Sequence, residues 1–536
     1  METSADVPLA GRTARRPRPV VALVAVLLAM LILPTSVTGS GVALPHIGRD
    51  TGASLDALSW VVHGYNLTFA SFMLACGSLA DLFGRRRMFA AGGVLFTVAS
   101  AASAATSEIV LLDVLRALAG IGAAALLTSG SSLLAATFTG AARSRVFAAV
   151  GIVTGAGLAL GAMAAGTLAD ALSWRAFFGL HAALMLLALC AVPFLGESRG
   201  EATAARVDWA GTATFVGSLF LLLLGMVEGP QWGWGSAAVL GLLVGAVVLM
   251  GVFVRVERRA AYPMLDLELL RNAPFMALCL IPVVVSFSFV VLLPLLPNYL
   301  LVANGATSGA AGATMLWMTL PILLAPLVAG RLIGWGLSPR SVFALSLVCL
   351  TGGVGWLAAV LAPGAGAAVL AGPLITLGVG LGLNFGLVDG AVLTVVAPGA
   401  TGTAAGFLNT LRLGSEAVVI AAAGSALINL TDHHLAGGLG RFPAYAQGAG
   451  DLSNSVNAGD LAGALARVPA GVRPEFTDFV TQGLTDAWRV VLWACAGICA
   501  VLAVGVYGML GRARRAVKGS GGGVREGASA SVGGHR

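Results

Sequence analysis

Long apolar stretches, separated by short polar segments, recur from residue 20 to residue 510 of this 536-residue chain. A helix that crosses a bilayer needs about 20 mostly apolar residues. Only 10% of the residues are charged, against about a quarter in soluble domains, so most of the surface must face lipid. The sequence predicts an all-α polytopic membrane protein with about fourteen transmembrane helices: 20–46, 58–80, 88–106, 109–136, 146–170, 176–196, 209–228, 236–255, 275–302, 309–332, 341–362, 367–396, 402–430 and 487–510.

Two charged linkers, 197–207 and 256–274, divide these stretches into groups of six, two and six. We expect an N-terminal six-helix lobe at 20–196, a two-helix insert at 208–255 and a C-terminal six-helix lobe at 275–510. The two lobes would be parallel repeats, as in two-lobed transporters. Residues 431–485 are expected to form an extracytoplasmic loop. Residues 1–19 and 511–536 are expected to be cytoplasmic tails, the second rich in Gly and Ser and disordered.

The placement of arginine predicts the orientation in the membrane. An even number of spans puts both termini on one side, and a cytoplasmic assignment follows the positive-inside rule. That side then receives most loop arginines: Arg85–Arg87, Arg143, Arg145, Arg199, Arg206, Arg255, Arg258, Arg259, Arg271, Arg331 and Arg340. The opposite side receives Arg49 and Arg175, with three more in the long loop. Abundant Gly, Ala and Arg indicate a GC-rich bacterial genome, so we expect a bacterial cytoplasmic membrane, with both termini inside.

Several other classes of protein are excluded by the same pattern. The net charge of +7 is spread over short clusters between apolar stretches, which does not favour nucleic acid as a partner. Lys518 is the only lysine and follows Val517, so the chain has no Walker A motif. The cysteines lie in apolar stretches, and the adjacent pair His433 and His434 is weak evidence for a metal. We expect no enzymatic activity, no metal and no cofactor.

The loop after the second stretch carries the most specific motif. It reads Gly77-Ser78-Leu79-Ala80-Asp81-Leu82-Phe83-Gly84-Arg85-Arg86-Arg87. Gly77 would let helices approach closely, Asp81 at a helix end could pair with an arginine across the lobe, and Gly84 would turn the chain. The arginines, Arg85 and Arg86 among them, would hold the loop against lipid headgroups. This loop resembles the signature of the major facilitator superfamily, and we expect it to gate the transport pathway.

Shorter segments resemble the fourteen-span drug:proton antiporters of that superfamily: Val42–Ile47, Trp60–Tyr65, Ser173–Phe178, Glu228–Trp234 and Arg412–Gly414. The resemblance implies a major facilitator fold and alternating access. It also implies proton-coupled export of a small amphipathic compound, such as a drug, an antibiotic or a secreted metabolite. The expected partners are that substrate, protons and lipid, with the chain as a monomer. The alternative is an importer or uniporter without proton antiport.

Few ionisable residues fall within the stretches, and these are the candidates for proton coupling: Asp113, Arg116, Asp389, Arg412 and Glu416. Buried charges are costly and need partners. The resemblance assigns coupling to Arg116, with Asp113 three residues earlier as its candidate partner. Glu416 lies one turn from Arg412, as a proton carrier or in a static ion pair. Asp389 has no local partner, and we favour it slightly as the carrier.

Further candidates come from the neighbouring spans. His63, Tyr65, Asn66 and Asn384 are candidates for the substrate pathway, although His63 could equally lie at headgroup level. Small residues four apart favour close helix crossing in the fifth stretch, at Gly151, Gly155, Gly161 and Gly166. Three positions depart from the family pattern. Ser36 replaces an aspartate, Ala119 a glutamine and Ala162 a proline.

Overall fold

A computed structural model describes residues 18–198, 207–442 and 449–522. Most of the two predicted tails, and also Arg199 and Arg206 of the first linker, lie outside the described residues. The described part contains helices and irregular segments and no strand. Its α-helices are α1 (Pro19–Thr51), α2 (Leu55–Phe83), α3 (Arg85–Ala105), α4 (Ile109–Thr137), α5 (Gly140–Ala171), α6 (Trp174–Cys190), α7 (Trp209–Trp232), α8 (Ala237–Glu257), α9 (Ala273–Val285), α10 (Leu292–Ala303), α11 (Ser308–Gly334), α12 (Pro339–Val360), α13 (Ala367–Asn384), α14 (Leu387–Val392), α15 (Thr401–Ala436), α16 (Ala449–Asn457), α17 (Leu461–Ala466) and α18 (Arg473–Gly522).

The membrane spans agree with the predicted number. Within the described residues, 13 helices are long and apolar enough to cross a membrane. Helix α5 is the fourteenth, with a bend of 42° between Leu158 and Met163. Helices α9 and α10 form one span, as do α13 and α14. The all-α polytopic fold with fourteen transmembrane helices is confirmed.

The same helix pairings occur in both lobes. In the first, α2 packs on α4, α3 on α4 and α6, and α1 on α5. In the second, α11 packs on α13, α12 on α13 and α18, and α9 on α15. The insert, α7 and α8, packs against α2 of the first lobe and α15 of the second. The two lobes therefore share one architecture, and the space between them is where a solute site of a two-lobed transporter is expected.

Two spans of the second lobe are interrupted. A π-helical turn at Ser286–Val290 separates α9 from α10, a local insertion that is frequent at functional sites. The break between α13 and α14 lies at Gly386, whose φ of +79° is a backbone conformation that glycine adopts without strain. Both interruptions lie beside the cavity between the lobes.

Two segments predicted from the sequence as a loop and a tail contain helix where they are described. The segment 431–485 is largely helical where it is described, because α15 continues to Ala436, α16 and α17 follow, and α18 begins at Arg473. Helix α18 then continues to Gly522, into the segment predicted as a tail. Apolarity marks only the part of a helix within lipid, and polar helical extensions at either end escape that criterion.

Candidate transport pathway

A cavity of about 520 Å³ lies between the two lobes. It is lined by α1 and α2 on one side and by α9, α13 and α15 on the other, with α7 of the insert between α2 and α15. A second cavity of about 180 Å³ shares Phe69, Phe385, Arg412 and Glu416 with the first. The combined space is of the size that binds small organic molecules.

An ion pair lies at the junction of the two cavities. The Arg412 Nη2 group donates to both carboxylate oxygens of Asp389, each at 3.0 Å. Arg412 Nη1 also donates to Asn409 Oδ1 at 2.8 Å. The side chains of Arg412 and Asp389 are 20% and 12% exposed, so the pair faces the cavity rather than packed apolar groups. Asp389 has no local partner along the sequence, and the tertiary fold supplies Arg412 from another span.

Glu416 lines both cavities beside this pair. The static ion pair with Arg412, one of the two alternatives for Glu416, is not formed, since no N···O contact within 4.0 Å joins these two described side chains and Arg412 pairs with Asp389. Arg412 instead turns its guanidinium toward α14, where its Nη2 is shared between the two carboxylate oxygens of Asp389. Glu416 is thus a second carboxylate in the cavity, without a direct hydrogen-bonding partner in the described part of the chain.

Helix irregularities place these charges. The bare Gly386 packs on α5, where a Cβ would lie 2.1 Å from the Phe147 carbonyl oxygen. That close approach holds the start of α14, the helix that carries Asp389, against α5. In the π-helical turn, the hydroxyl of Ser286 hydrogen-bonds with that of Ser415 at 2.9 Å. This contact fixes the part of α15 that carries Glu416 against the π-helical turn.

Arg116 is buried in the first lobe and is held by polar groups of α1 and α2. It donates from Nε to the Val61 carbonyl at 3.1 Å, and from Nη1 and Nη2 to Ser36 Oγ and O at 3.0 and 3.3 Å. The ring of Tyr65 lies 4.4 Å from its guanidinium carbon. The predicted pairing with Asp113 is wrong, because Asp113 Oδ1 is buried without a hydrogen-bond partner. Ser36, which replaces the usual aspartate, is instead the partner of Arg116.

The four substrate-pathway candidates separate into two groups. His63, Asn66 and Asn384 line the larger cavity. Asn384 is also hydrogen-bonded, from Nδ2 to Ser346 Oγ at 2.8 Å. Tyr65 does not line the cavity, because it is fully buried against Arg116. Consecutive positions on a helix point to different faces, which explains why Tyr65 and Asn66 differ.

The lobes meet at backbone distance where α2 ends and α15 begins. A Cβ on Gly77 would lie 2.2 Å from the Gly402 carbonyl oxygen, and one on Gly406 would lie 2.6 Å from that of Met73. No side chain fits between the two helices at these positions. This contact forms the first seal between the lobes, at the end of the bundle that carries the loop around Gly84.

The charged carboxylate of Asp81 stabilises this seal by hydrogen bonds to the other lobe. Its carboxylate accepts hydrogen bonds from the backbone N–H groups of Gly402 at 3.0 Å and Thr403 at 2.9 Å. These groups begin α15, where the helix dipole favours a negative charge. The arginine partner of Asp81 is Arg85, four residues later, rather than an arginine across the lobe, and its Nη2 lies 3.1 Å from Asp81 Oδ1. Gly84 turns the chain with a φ of +105°.

The rest of the loop is bound within its own lobe. The backbone N–H of Arg86 donates to Glu197 Oε1 at 3.3 Å, and its Nη1 to the Leu195 carbonyl at 3.3 Å. Arg85 also donates from its backbone N–H to the Ser198 carbonyl at 3.0 Å. The loop is therefore fixed to the segment after α6, so Asp81 is presented to α15 by a rigid support.

A second seal joins α5 to the other lobe. A Cβ on Gly151 would lie 2.6 Å from the Phe385 carbonyl oxygen, and one on Gly155 would lie 3.2 Å from Ile322. Gly161 instead crosses α1, where a Cβ would lie 2.1 Å from Thr38 Oγ1. Gly166 has only ordinary contact with Val42, at 3.6 Å. The glycines of α5 therefore serve two different crossings, and Gly151 at the seal also lines the smaller cavity.

The Ser173–Phe178 segment connects α1 and α6 at the opposite end. Asp50 accepts hydrogen bonds from Trp174 Nε1 at 3.1 Å and from Arg175 Nη1. Phe178 packs on the Arg116 guanidinium at 5.3 Å. The segment therefore joins the end of α1 to the surroundings of the buried Arg116.

Sequence reasoning missed Asn409 and the partnership of Asp389 with Arg412. The ion-paired residues are 23 positions apart and lie in different spans, so no helical spacing relates them. The sequence signal for such a pair is the presence of an acid and an arginine within the membrane spans, because charges there rarely occur without a partner.

Two solved structures share the fold. The human organic anion transporter matches with a TM-score of 0.53 at 15% identity, over 90% of this chain and 100% of that one. A proton:xylose symporter matches with a TM-score of 0.54 at 13% identity, over 89% and 95%. At such low identity these likenesses establish the fold alone.

Curated relatives are more similar in sequence. The tetracenomycin C resistance and export protein of Streptomyces glaucescens is 32% identical over 59% of each chain. The puromycin resistance protein of Streptomyces alboniger is 37% identical over 45% of this chain and 48% of its own. The methylenomycin A resistance protein of Bacillus subtilis is 32% identical over 58% and 66%. The alignments cover about half to two thirds of these relatives.

The family model described as Major Facilitator Superfamily matches residues 26–419. This range covers most of the chain, including both seals and the cavity. Members of the superfamily are membrane transporters of small molecules rather than enzymes. This chain is a multi-pass membrane protein that belongs to the major facilitator superfamily.

Proposed function

We propose that this chain is a proton-coupled antiporter that exports a small amphipathic organic compound, such as a drug, an antibiotic or a secreted metabolite. Relatives named for resistance to tetracenomycin C, puromycin and methylenomycin A support export. The location would be the bacterial cytoplasmic membrane, with both termini in the cytoplasm. The cavity between the lobes would be the substrate site.

Alternating access supplies the mechanism. The seals at Gly77–Gly402 and Gly151–Phe385 hold the lobes together at one end. With the arginine-rich loop in the cytoplasm, this state is closed inside. Separation of the two seals would open the cavity to the cytoplasm and admit substrate. Asp81 would act as the latch, since its bonds to Gly402 and Thr403 exist only while the lobes touch.

The observation that carries the proposal is the Asp389–Arg412 pair, with Glu416 beside it, in the cavity wall. Protonation of Asp389 would cancel its charge and weaken its attraction to Arg412. The freed guanidinium could then turn toward Glu416 or release a polar group of the substrate. Deprotonation on the cytoplasmic side would restore the pair and the binding geometry.

The proton gradient would supply the energy for this exchange. One proton moving inward through the membrane potential releases about 2.3 kcal/mol per 100 mV. Two acids in one cavity, Asp389 paired and Glu416 unpaired, allow proton and substrate to compete for the same charges. Such competition is what couples the two fluxes in an antiporter.

Everted vesicles from a pump-deficient host test the proposal. Vesicles with the wild-type chain, energised to an acidic interior, should accumulate ethidium or another toxic compound from a screened panel. Collapse of the pH gradient should abolish accumulation. Asp389→Asn or Glu416→Gln should abolish the gradient-driven part, whereas Glu268→Gln, an exposed acid of the second linker, should not.

The outcomes separate the alternatives. Unchanged transport in both acid variants would remove these residues as proton carriers. Transport that persists without any ion gradient would indicate a uniporter, and accumulation by intact cells would indicate an importer. Absence of tolerance and of transport across the whole panel would contradict drug export.

A further inference from the structure

We infer that the two-helix insert is part of the substrate site, with Leu223 and Val227 of α7 as the apolar wall that determines which compounds fit. This inference rests on the proposed function, because it describes the site of that transport. It extends to the substrate class: a molecule with an extended apolar face on one side and a polar group on the other.

Helix α7 is wedged between the lobes. Phe215, Leu219 and Leu223 belong to one apolar cluster with Leu67, Ala70 and Leu74 of α2. The same cluster includes Phe407, Leu413 and Ala417 of α15. These are the two helices that meet at backbone distance at Gly77 and Gly402. Farther along, α7 lies against both of them and bridges the lobes.

The spacing on α7 explains how one helix both packs and lines the cavity. Phe215, Leu219, Leu223 and Val227 are each four residues apart, so they share one face. Phe215, Leu219 and Leu223 are all buried in the cluster. Leu223 and the half-buried Val227 also line the larger cavity. There they lie with Ala70 of α2 and Ala417 of α15, whose small side chains leave α7 exposed to the cavity.

Two contacts hold this wall in place. Trp234 Nε1, just beyond the end of α7, donates to Ser425 Oγ of α15 at 2.8 Å. Ser218 Oγ donates to the Ala246 carbonyl at 2.7 Å and joins α7 to α8. Because both ends of the cavity-facing segment are tied, Leu223 and Val227 present a fixed surface rather than a mobile one.

The chemistry of the cavity is asymmetric. The α7 side offers only aliphatic groups, whereas His63, Asn66, Asn384, Arg412 and Glu416 supply the polar groups of the same cavity. A small-molecule site of this kind orients its ligand by a few polar contacts and selects it by the shape of the apolar part. A bulky side chain on α7 should therefore exclude large apolar faces and spare small ones.

Thiol accessibility tests the wall without requiring transport. The test compares Val227→Cys with a matched control, Val244→Cys, in a Cys190→Ser background. Val244 lies on α8, on the outer surface of the insert, where it is 61% exposed. A charged methanethiosulfonate reagent reacts only with water-exposed thiols. Modification of Val227→Cys at least tenfold faster than Val244→Cys is expected. Equal or slower modification would overturn the inference.

Size selectivity supplies the second arm. Val227→Phe should lower the efflux of rhodamine 6G relative to ethidium by about tenfold, and Val244→Phe should leave the ratio unchanged. Proportional loss of both dyes, or an unchanged ratio, would overturn the role in selectivity. Labelling at residue 227 in a chain that exports no compound of the whole panel would support the apolar wall and contradict the proposed export function, so the two failures are distinguishable.

Discussion

The carboxylate of Asp81 accepts a hydrogen bond of 2.9 Å from the backbone N–H of Thr403, 322 positions later in the chain. One residue belongs to the end of α2 and the other to the first turn of α15. The bond joins the two lobes at the point where Gly77 and Gly402 touch. A negative side chain thus satisfies the open N–H groups of a helix that belongs to the other lobe.

Asp81→Asn should weaken the closed state at this seal. A hydrogen bond to a charged group contributes about 1.5–3 kcal/mol, and Asp81 accepts from Gly402, Thr403 and Arg85. We expect efflux of the transported dye to fall at least about tenfold, at equal protein in the membrane. Asp170→Asn, whose His46 partner lies in the same lobe, is the control. Full efflux by Asp81→Asn would contradict the latch.

Gly386→Ala should block the second seal. Gly386 has a φ of +79°, and its Cβ would lie 2.1 Å from a carbonyl oxygen of α5. Gly364→Ala is the control, since Gly364 has a φ of +71° and open space around its Cβ. Both variants carry the strain of a positive φ, about 1–2 kcal/mol, but only Gly386→Ala also clashes. Loss of efflux in Gly386→Ala alone is expected, and equal behaviour of the two would argue against the close packing.

Arg116→Lys should lower the thermal stability of the detergent-solubilised protein. An ammonium cannot reproduce the fork that reaches Val61 and Ser36 at once, so at least about 1.5 kcal/mol should be lost. Asp113→Asn should change the free energy of unfolding by less than about 1 kcal/mol, because no ion pair is broken. Thermal melts of the purified variants check this, and a large loss in Asp113→Asn would restore the pairing predicted from sequence.

Trp234→Phe should loosen the insert. The substitution removes the hydrogen bond from the indole to Ser425, which contributes about 1 kcal/mol. The phenyl ring keeps much of the apolar contact with Gly229. Trp232→Phe is the control, because that side chain is 50% exposed. The melting temperature of Trp234→Phe should fall below that of Trp232→Phe. The same value for both variants would show that the anchor contributes nothing.

Both termini should lie on the cytoplasmic side of the membrane. Fourteen spans return the chain to its starting side, and the arginines of the loops favour the cytoplasm there. Epitope tags at residue 1 and at residue 536 should be digested by protease in everted vesicles and protected in right-side-out ones. Digestion of the two tags in opposite preparations would refute the even number of spans.

The spans and the seal motif were predictable from sequence because their signals are local. Apolarity over about 20 residues marks a span wherever it occurs, and the fourteen stretches all correspond to helices of the structure. The polar ends of α15 and α18 were missed for the same reason, since nothing apolar marks them. The seal motif around Gly84 is also a local signal, because its glycines and its acid lie at fixed spacing within one short segment.

The partners of buried charges were not predictable in this way. Helical spacing suggested that Arg116 pairs with Asp113 and that Arg412 pairs with Glu416. In the structure, Arg116 instead bonds to Ser36, and Arg412 bonds to Asp389. A guanidinium reaches several ångströms from its own helix, so the best acceptor is set by which helix packs beside it. Spacing along one helix cannot show that neighbour.

By itself the sequence determined that helices must span lipid, how many do so, and which few charges are left among them, because hydrophobic transfer depends on the composition of each segment alone. Only the tertiary structure decided which charges meet, where the lobes touch and that α7 borders the cavity. Those features depend on distances between segments far apart in the chain, and packing fixes such distances only once every helix has its neighbours.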